Sequence, residues 1–323
     1  MLKIAVFGTG GVGGIFGGLF ARAGHTVHFI ARGAHYEEIR AKGLRVETPQ
    51  GQFLISPTTS ASQVSQDAQE AAKQSGPFDL VLVCVKAWDL PKAAQAIRPL
   101  VGPKTVILPL QNGLEATEIL LRHYPQEQVL RGFCAVMSYV AAPGVIRQVG
   151  KLPFLCLGEL SPPHVSSRIQ KLNQELAVEG ITLVTPENLL AQQWQKFIFI
   201  SSLAAVTSAS RLPSGPLLQV PETKNLLKRA FEEVVALGKA SAAPVLDRAA
   251  DLAMKSVEEM PYEGTTSMQR DFQAGRRTEL ETFSGYVLRE ARKLGVPTPI
   301  HEFCYAILLP HELIAQKLIS GPG

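Results

Sequence analysis

The stretch that most limits how this chain can fold is Val6-Phe7-Gly8-Thr9-Gly10-Gly11-Val12-Gly13. It is a G-x-G-x-x-G run lying between residues 2–7, which read as a strand, and residues 12–23, which read as a helix. In that setting Gly8 allows a tight turn, Gly10 lets backbone come close to a pyrophosphate, and Gly13 lets the helix pack against the strand. The start of the helix adds unpaired N–H groups and the positive end of its dipole, both suited to phosphate. Gly8, Thr9, Gly10, Gly11, Val12 and Gly13 are therefore candidate cofactor-binding residues. The plainer alternative is a tight strand-to-helix turn that holds no ligand.

The rest of the first half continues the alternation that such a unit starts. Strands are expected at residues 26–30, 80–85, 105–108 and 129–132, with crossover helices at 91–100 and 114–122, the pattern of a doubly wound parallel sheet. Gly24 is placed as the C′ residue of the first helix. Residues 56–76, rich in Ser, Gln and Ala, read as a surface excursion with a short helix rather than as core. Residues 138–157, with turns at Pro143-Gly144 and Gly150, read as a hairpin closing the sheet, and 181–184 as a further strand.

After Thr185-Pro186-Glu187 long helical patterns take over at 188–209, 222–241, 248–258, 279–294 and 300–318. Thr185 is the expected N-cap there, with Pro186 near N1. The expected fold is α/β: an N-terminal Rossmann doubly wound sheet over residues 1–187 and a C-terminal all-helical domain over 188–323. A chain of 323 residues suits roughly two domains at ~100 to 200 residues each.

Composition narrows the partners. With 46% hydrophobic and 19% charged residues the chain is an ordinary folded protein. Its 32 Lys and Arg against 28 Asp and Glu are not gathered into a run, so nucleic acid is not an expected partner. Cys84, Cys134, Cys156 and Cys304 are far apart and the seven histidines are scattered, so no metal site is expected. Lys3 and the apolar stretch after it have the look of a signal peptide, but the seven glycines from Gly8 to Gly18 weaken a continuous helix. No other apolar run approaches the roughly 20 residues that span a bilayer. A cytoplasmic protein with no membrane partner is expected, and the helical second domain suits either a homodimer or internal packing of its apolar faces.

Three side chains bear on chemistry. Arg32 stands where an NAD-binding fold carries an acid for the ribose hydroxyl, and a guanidinium can grip a 2′-phosphate with two hydrogen bonds. NADPH/NADP is therefore expected rather than NAD; the plain reading of Arg32 is a solvated loop cation. Lys196, in Trp194-Gln195-Lys196-Phe197-Ile198-Phe199-Ile200, either snorkels past apolar neighbours to water or serves as a proton donor tuned by partial desolvation. Glu279 alone is an unexceptional carboxylate near a helix start.

Taken together, the segments resemble the ketopantoate reductase family, the NADPH-dependent 2-dehydropantoate 2-reductases of pantothenate synthesis. The landmarks are Gly8 to Gly13, Val85-Lys86-Ala87-Trp88, Leu110-Gln111-Asn112-Gly113, Trp194-Gln195-Lys196, and Thr266-Ser267-Met268 followed by Asp271, Gly275-Arg276 and Thr278-Glu279. The resemblance implies an active site in a cleft between the two domains. It implies Lys196 as the general acid and Glu279 as a glutamate that supports catalysis and contacts the cofactor. By the same resemblance Lys86 and Asn112 bind the cofactor, and Asn112 and Ser267 bind a small 2-oxo acid. A related reductase of another oxo acid, carbonyl or imine, and a non-catalytic NADP sensor, are the competing readings.

One departure matters. Typical members carry asparagines four and eight residues after the lysine; here those positions are Ile200 and Ala204, and a later family asparagine is Ser284. Of the nearby serines, Ser201 and Ser202 point elsewhere on an ideal helix and Ser208 lies one turn past Ala204. Losing amides that pair with substrate hydroxyls should loosen or change the preference for a hydroxylated oxo acid.

Overall fold

The glycine-rich start of the chain forms a helix that is packed between two sheets. The structure is a computed structural model and describes residues 1–56, 62–161 and 165–321. It divides into two units, Met1–Leu189 and Leu190–Gly323. The first runs β1 (Lys3–Phe7), α1 (Gly11–Arg22), β2 (Thr26–Ile30), α2 (Gly33–Lys42), β3 (Leu44–Thr48), β4 (Gly51–Ile55), β5 (Ser62–Ser65), α3 (Ala68–Ser75), β6 (Leu80–Val83), α4 (Leu90–Ala96), β7 (Val106–Pro109), α5 (Ala116–Leu121), β8 (Arg131–Ala142), β9 (Val145–Gly158), α6 (Ser167–Leu176) and β10 (Thr182–Val184).

One sheet is parallel, in the order β5-β2-β1-β6-β7. Its central strands are buried on both faces, which is why β1 and β6 read as continuous apolar runs. Ile4 and Val6 join the core beneath α1, whereas Ala5 and Phe7 join the core beneath α3, α4 and α5. The second sheet has the order β10-β9-β3-β4, with β8 paired antiparallel to β9. A Cβ on Gly17 would lie 2.7 Å from Phe29 of β2, one on Gly14 2.4 Å from Ile146 of β9, and one on Gly18 2.7 Å from Val46 of β3. Glycine disfavours an isolated helix by up to about 1 kcal/mol per residue, yet here it lets two sheets approach one helix.

The expectations for residues 56–76 and 138–157 need correction. Residues 62–65 form the edge strand β5, paired with β2, and Ala68 and Ala71 of α3 are core residues, so much of the segment 56–76 is part of the sheet layer; residues 57–61 lie outside the described residues. The hairpin turning at Pro143-Gly144 does not close the parallel sheet. It is the long β8–β9 pair of the second sheet, and Gly150 sits inside β9. Sequence periodicity marks strands but not which sheet they join, because that depends on pairing between distant segments such as β3 with β9 and β10 with β9.

His28 ties the edge of the parallel sheet together. Its Nε2 lies 2.6 Å from Ser65 Oγ on β5 and its Nδ1 3.1 Å from Ser75 Oγ on α3, and the ring meets Phe78 edge-on at 5.9 Å.

The second unit is helical: α7 (Leu189–Ser210, its first residue belonging to the first unit), α8 (Ser214–Gln219), α9 (Pro221–Ala240), α10 (Ala249–Glu258), α11 (Ser267–Gln273), α12 (Tyr286–Leu294) and α13 (Pro299–Ala315). Thr185 does not cap α7, which begins further on; its hydroxyl instead exchanges hydrogen bonds with the Asn173 side chain at 2.6 and 3.0 Å. A π-helical turn over Glu281–Gly285 leads into α12, with Gly285 N donating to Leu280 O at 3.0 Å. Residues 201–208 of α7 are buried on every side. The helix tolerates this because Ser201 donates to Phe197 O, Thr207 to Leu203 O and Ser202 to Ala230 O. Glu233 of α9 closes the start of α13 by accepting from Ile300 N, His301 N and the His301 ring at 2.8, 3.1 and 2.7 Å. No described helix is long and apolar enough to cross a membrane.

Burial pulls the His28 pKa down from 6.5 to about 4. The folded state therefore holds the ring neutral, and its contribution is complete above pH 6.5 and lost as the pH falls from there through about 4. Urea unfolding at pH 7.5 and near pH 4.5 should show the wild type losing about 2 kcal/mol more than His28→Gln; equal losses would mean that His28 protonates freely in the fold.

Candidate active site

At the carboxyl end of β1 the chain turns sharply through Gly8 and enters α1. Gly8 N and Thr9 N donate to the Ile30 carbonyl at 3.3 and 3.1 Å, and Thr9 Oγ1 does so at 3.0 Å, so the last residue of β2 anchors the loop. Gly8 has a φ of +100°, and a Cβ there would lie 2.9 Å from Val85 N. A Cβ on Gly13 would stand 2.2 Å from Gly8 O, and one on Gly11 2.4 Å from Ser138 O of β8. At Gly10, by contrast, a Cβ would meet no atom within 4 Å.

Gly10 is the N-cap of α1 and supplies no side-chain cap, and no acid occupies the first turn that holds Gly11, Val12 and Gly13. The N–H groups and dipole of the helix start are thus offered toward a cavity of about 390 Å³ walled by Gly8, Thr9, Gly10, Ala31, Arg32 and Val85 among others. Open space at Gly10 beside an uncapped helix start fits the phosphates of a dinucleotide.

Arg32 lies two residues past β2, serves as N-cap residue of α2 and walls the same cavity. Lys86 and Asn112 follow the neighbouring strands β6 and β7 and are not among the residues walling it. Lys86 is exposed, with Nζ 5.6 Å from the centroid of the Trp88 ring. Asn112 is half-buried. It is placed by Gln111, whose amide donates to the Val83 and Val85 carbonyls at 2.9 Å each, clamping the end of β7 to the end of β6.

The remaining candidates belong to the second unit. Lys196 and, one turn on, Ile200 are half-buried on α7, and Ala204 and Ser208, one and two turns past Ile200, are buried. Ser208 Oγ, like Ser284 Oγ in the π-helical turn, meets no hydrogen-bond partner among the described residues. Ser267 is half-buried and opens α11, whose N-cap Thr266 accepts from Gln269 N at 3.1 Å and lies 3.4 Å from Thr207 of α7. Glu279 is only 4% exposed. The preceding residue is held by buried Glu312 of α13, which accepts from Thr278 N at 2.8 Å and Thr278 Oγ1 at 2.6 Å.

Both units match one family. Residues 4–161 match Ketopantoate reductase PanE/ApbA, and residues 188–312 match Ketopantoate reductase PanE/ApbA C terminal. The chain belongs to the ketopantoate reductase family. It is accordingly a nicotinamide-dependent oxidoreductase with a Rossmann-like first domain and a helical second one. The uncharacterized oxidoreductase YkpB of Bacillus subtilis (strain 168) is 25% identical over 311 residues, 96% of this chain and 99% of that protein. The crystal structure of 2-dehydropantoate 2-reductase from Porphyromonas gingivalis W83 is 32% identical with a TM-score of 0.81, covering 95% of this chain and 99% of that one. D-mandelate dehydrogenase, in its ternary structure with NADH and anilino(oxo)acetate, shares the fold at 20% identity, with a TM-score of 0.86 over 97% of this chain and 99% of that one.

For this reductase, sequence reasoning overlooked three residues. Gln111 lay in plain view inside a landmark motif. His35, one turn into α2, also walls the cavity; its Nδ1 accepts from Gly144 N at 2.9 Å and burial holds its pKa below the usual histidine value. Lys92 walls the cavity from α4. No spacing rule connects it to Arg32, because only the strand order places the two segments on either side of β1.

Gly13→Ala tests the loop geometry. Overfilling a packed contact costs about 1 to 3 kcal/mol, so denaturant unfolding should show a loss of that size. Fluorescence titration should show nicotinamide dinucleotide binding weakened at least ~10-fold by the displaced loop. Unchanged stability and affinity would show that α1 and β1 separate without cost.

Proposed function

We propose that this chain is an NADPH-dependent 2-dehydropantoate 2-reductase, converting ketopantoate to pantoate for pantothenate synthesis. The observation that carries the reading is Lys196. It is an ammonium-bearing residue placed half-buried where α7 passes from a partly exposed to a wholly buried stretch, within a chain whose two halves both match the family. Addition of hydride to a ketone builds negative charge on its oxygen. A lysine ammonium relieves that charge first by hydrogen bonding and then by proton transfer.

In this reading residues 1–187 hold the cofactor and residues 188–323 supply the general acid. Gly8 to Gly13 receive the pyrophosphate, Arg32 the 2′-phosphate, and Lys86 and Asn112 the remainder of the cofactor. When bound, the nicotinamide supplies the hydride. Asn112 and Ser267 orient the oxo acid. Glu279, preceded by Thr278 that Glu312 holds, supports catalysis and contacts the cofactor. P. gingivalis 2-dehydropantoate 2-reductase is similar over nearly the whole chain, which supports the substrate assignment.

A second reading has its own support. Ile200 is half-buried and Ala204 buried, so two positions that usually present amides are apolar. They favour a related reductase acting on a less hydroxylated 2-oxo acid, another carbonyl or an imine.

Lys196→Ala should lower kcat by roughly 10² to 10⁴ while leaving the dissociation constant for NADPH within about two-fold. A variant that turns over at the wild-type rate would assign the proton to another donor.

A further inference from the structure

The cavity beside the glycine loop holds two cations, and the reading above uses one of them. Arg32 reaches it from the end of β2 and Lys92 from the first turn of α4, which follows β6. In the parallel sheet β2 and β6 flank β1. The chain passes from β1 to one side through α1 and later to the other through α3, so the cavity lies at the switch point over the carboxyl ends, where doubly wound sheets collect ligands.

The electrostatics of the two side chains set them apart from their neighbours. Further along α2, Arg40 pairs with Glu37 at 3.0 Å and Lys42 with Glu38 at 2.9 Å. Among the described residues neither Arg32 nor Lys92 has a salt bridge or a side-chain hydrogen bond. Among the described residues Asp89 is the one acid on the wall, so cations outnumber acids there. A phosphate monoester carries between about one and a half and two negative charges at neutral pH, more than one guanidinium balances. An Arg fork fixes the orientation of such a group, and a lysine adds a mobile point charge. Beyond Lys92, Ala93 and Ala96 leave the α4 side of the wall flat and apolar, a surface suited to a purine.

We propose that Lys92 is the second cation of the 2′-phosphate site and that, with Arg32, it selects NADPH over NADH. The inference rests on the NADPH reading of the proposed function and assigns the selectivity to a pair rather than to Arg32 alone.

Calorimetric titration of the full-length protein with 2′,5′-ADP and with adenosine 5′-monophosphate isolates the 2′-phosphate without any turnover. The wild type should prefer 2′,5′-ADP by at least ~10-fold, and Lys92→Ala should cut that preference about 5-fold while leaving affinity for the monophosphate within about two-fold. Lys92→Arg should retain the preference, and high salt should shrink it more in the wild type than in Lys92→Ala. If Arg32→Ala lowers the preference but Lys92→Ala does not, the pair is overturned while the NADPH reading stands. Equal weakening of both ligands by Lys92→Ala also overturns it, assigning Lys92 to the adenosine or to the fold. A wild type indifferent to the 2′-phosphate removes the NADPH reading itself, and the pair with it.

Discussion

The architecture of the first domain depends on how closely α1 can be approached. Gly13 and Gly17 face the parallel sheet, and Gly14 and Gly18 face the second sheet, each at a distance where a Cβ would collide with a neighbour. A helix with so many glycines would be poorly formed alone, and burial between two apolar layers more than offsets that weakness. The same closeness sets the loop: with α1 pressed on β1, the chain between them must turn through Gly8 and present Gly10 to open space. The cavity beside the loop is thus a consequence of packing two sheets on one helix.

Charge then distinguishes the cavity from a mere crevice. The start of α1 has neither a side-chain cap nor an acid in its first turn, and Arg32 and Lys92 stand on the wall without partners among the described residues. In the helical domain the polar groups are arranged differently. Hydroxyls on α7 are spent on helix carbonyls, Glu233 on the start of α13, and Glu312 on the residue preceding Glu279. These internal bonds hold a buried polar framework around α7 and the segment leading to α12, in which Ile200 and Ala204 offer no hydrogen bonds of their own.

Much of this was legible in the sequence, for physical reasons that differ by element. The strand-loop-helix of residues 3–22 carries its signal locally, since turn, helix start and packing all need glycine at fixed spacing. Long helices such as α9 and α13 are likewise read from local periodicity. In the second sheet the β8–β9 hairpin and the strand β10 were legible, but their membership of a separate sheet was not, because β3 and β10 pair with β9 across long stretches of chain. Nor was β5, whose polar sequence disguises a strand held by its neighbour and by His28. The π-helical turn before α12 has no pattern of its own. At the candidate site Arg32 could be read from its distance beyond the loop, while Lys196, Glu279, Asn112 and Ser267 gained meaning only from the family resemblance. Lys92 became apparent only once the strand order was known.

The most direct test of the account is the rate of NADPH oxidation by the purified protein with ketopantoate and with a panel of other 2-oxo acids, followed at the nicotinamide absorbance. The proposed function predicts rapid turnover with ketopantoate as the preferred substrate. Tight binding of NADPH with little turnover of ketopantoate, and faster reduction of a less hydroxylated oxo acid, would contradict it and tie the change of substrate to Ile200 and Ala204.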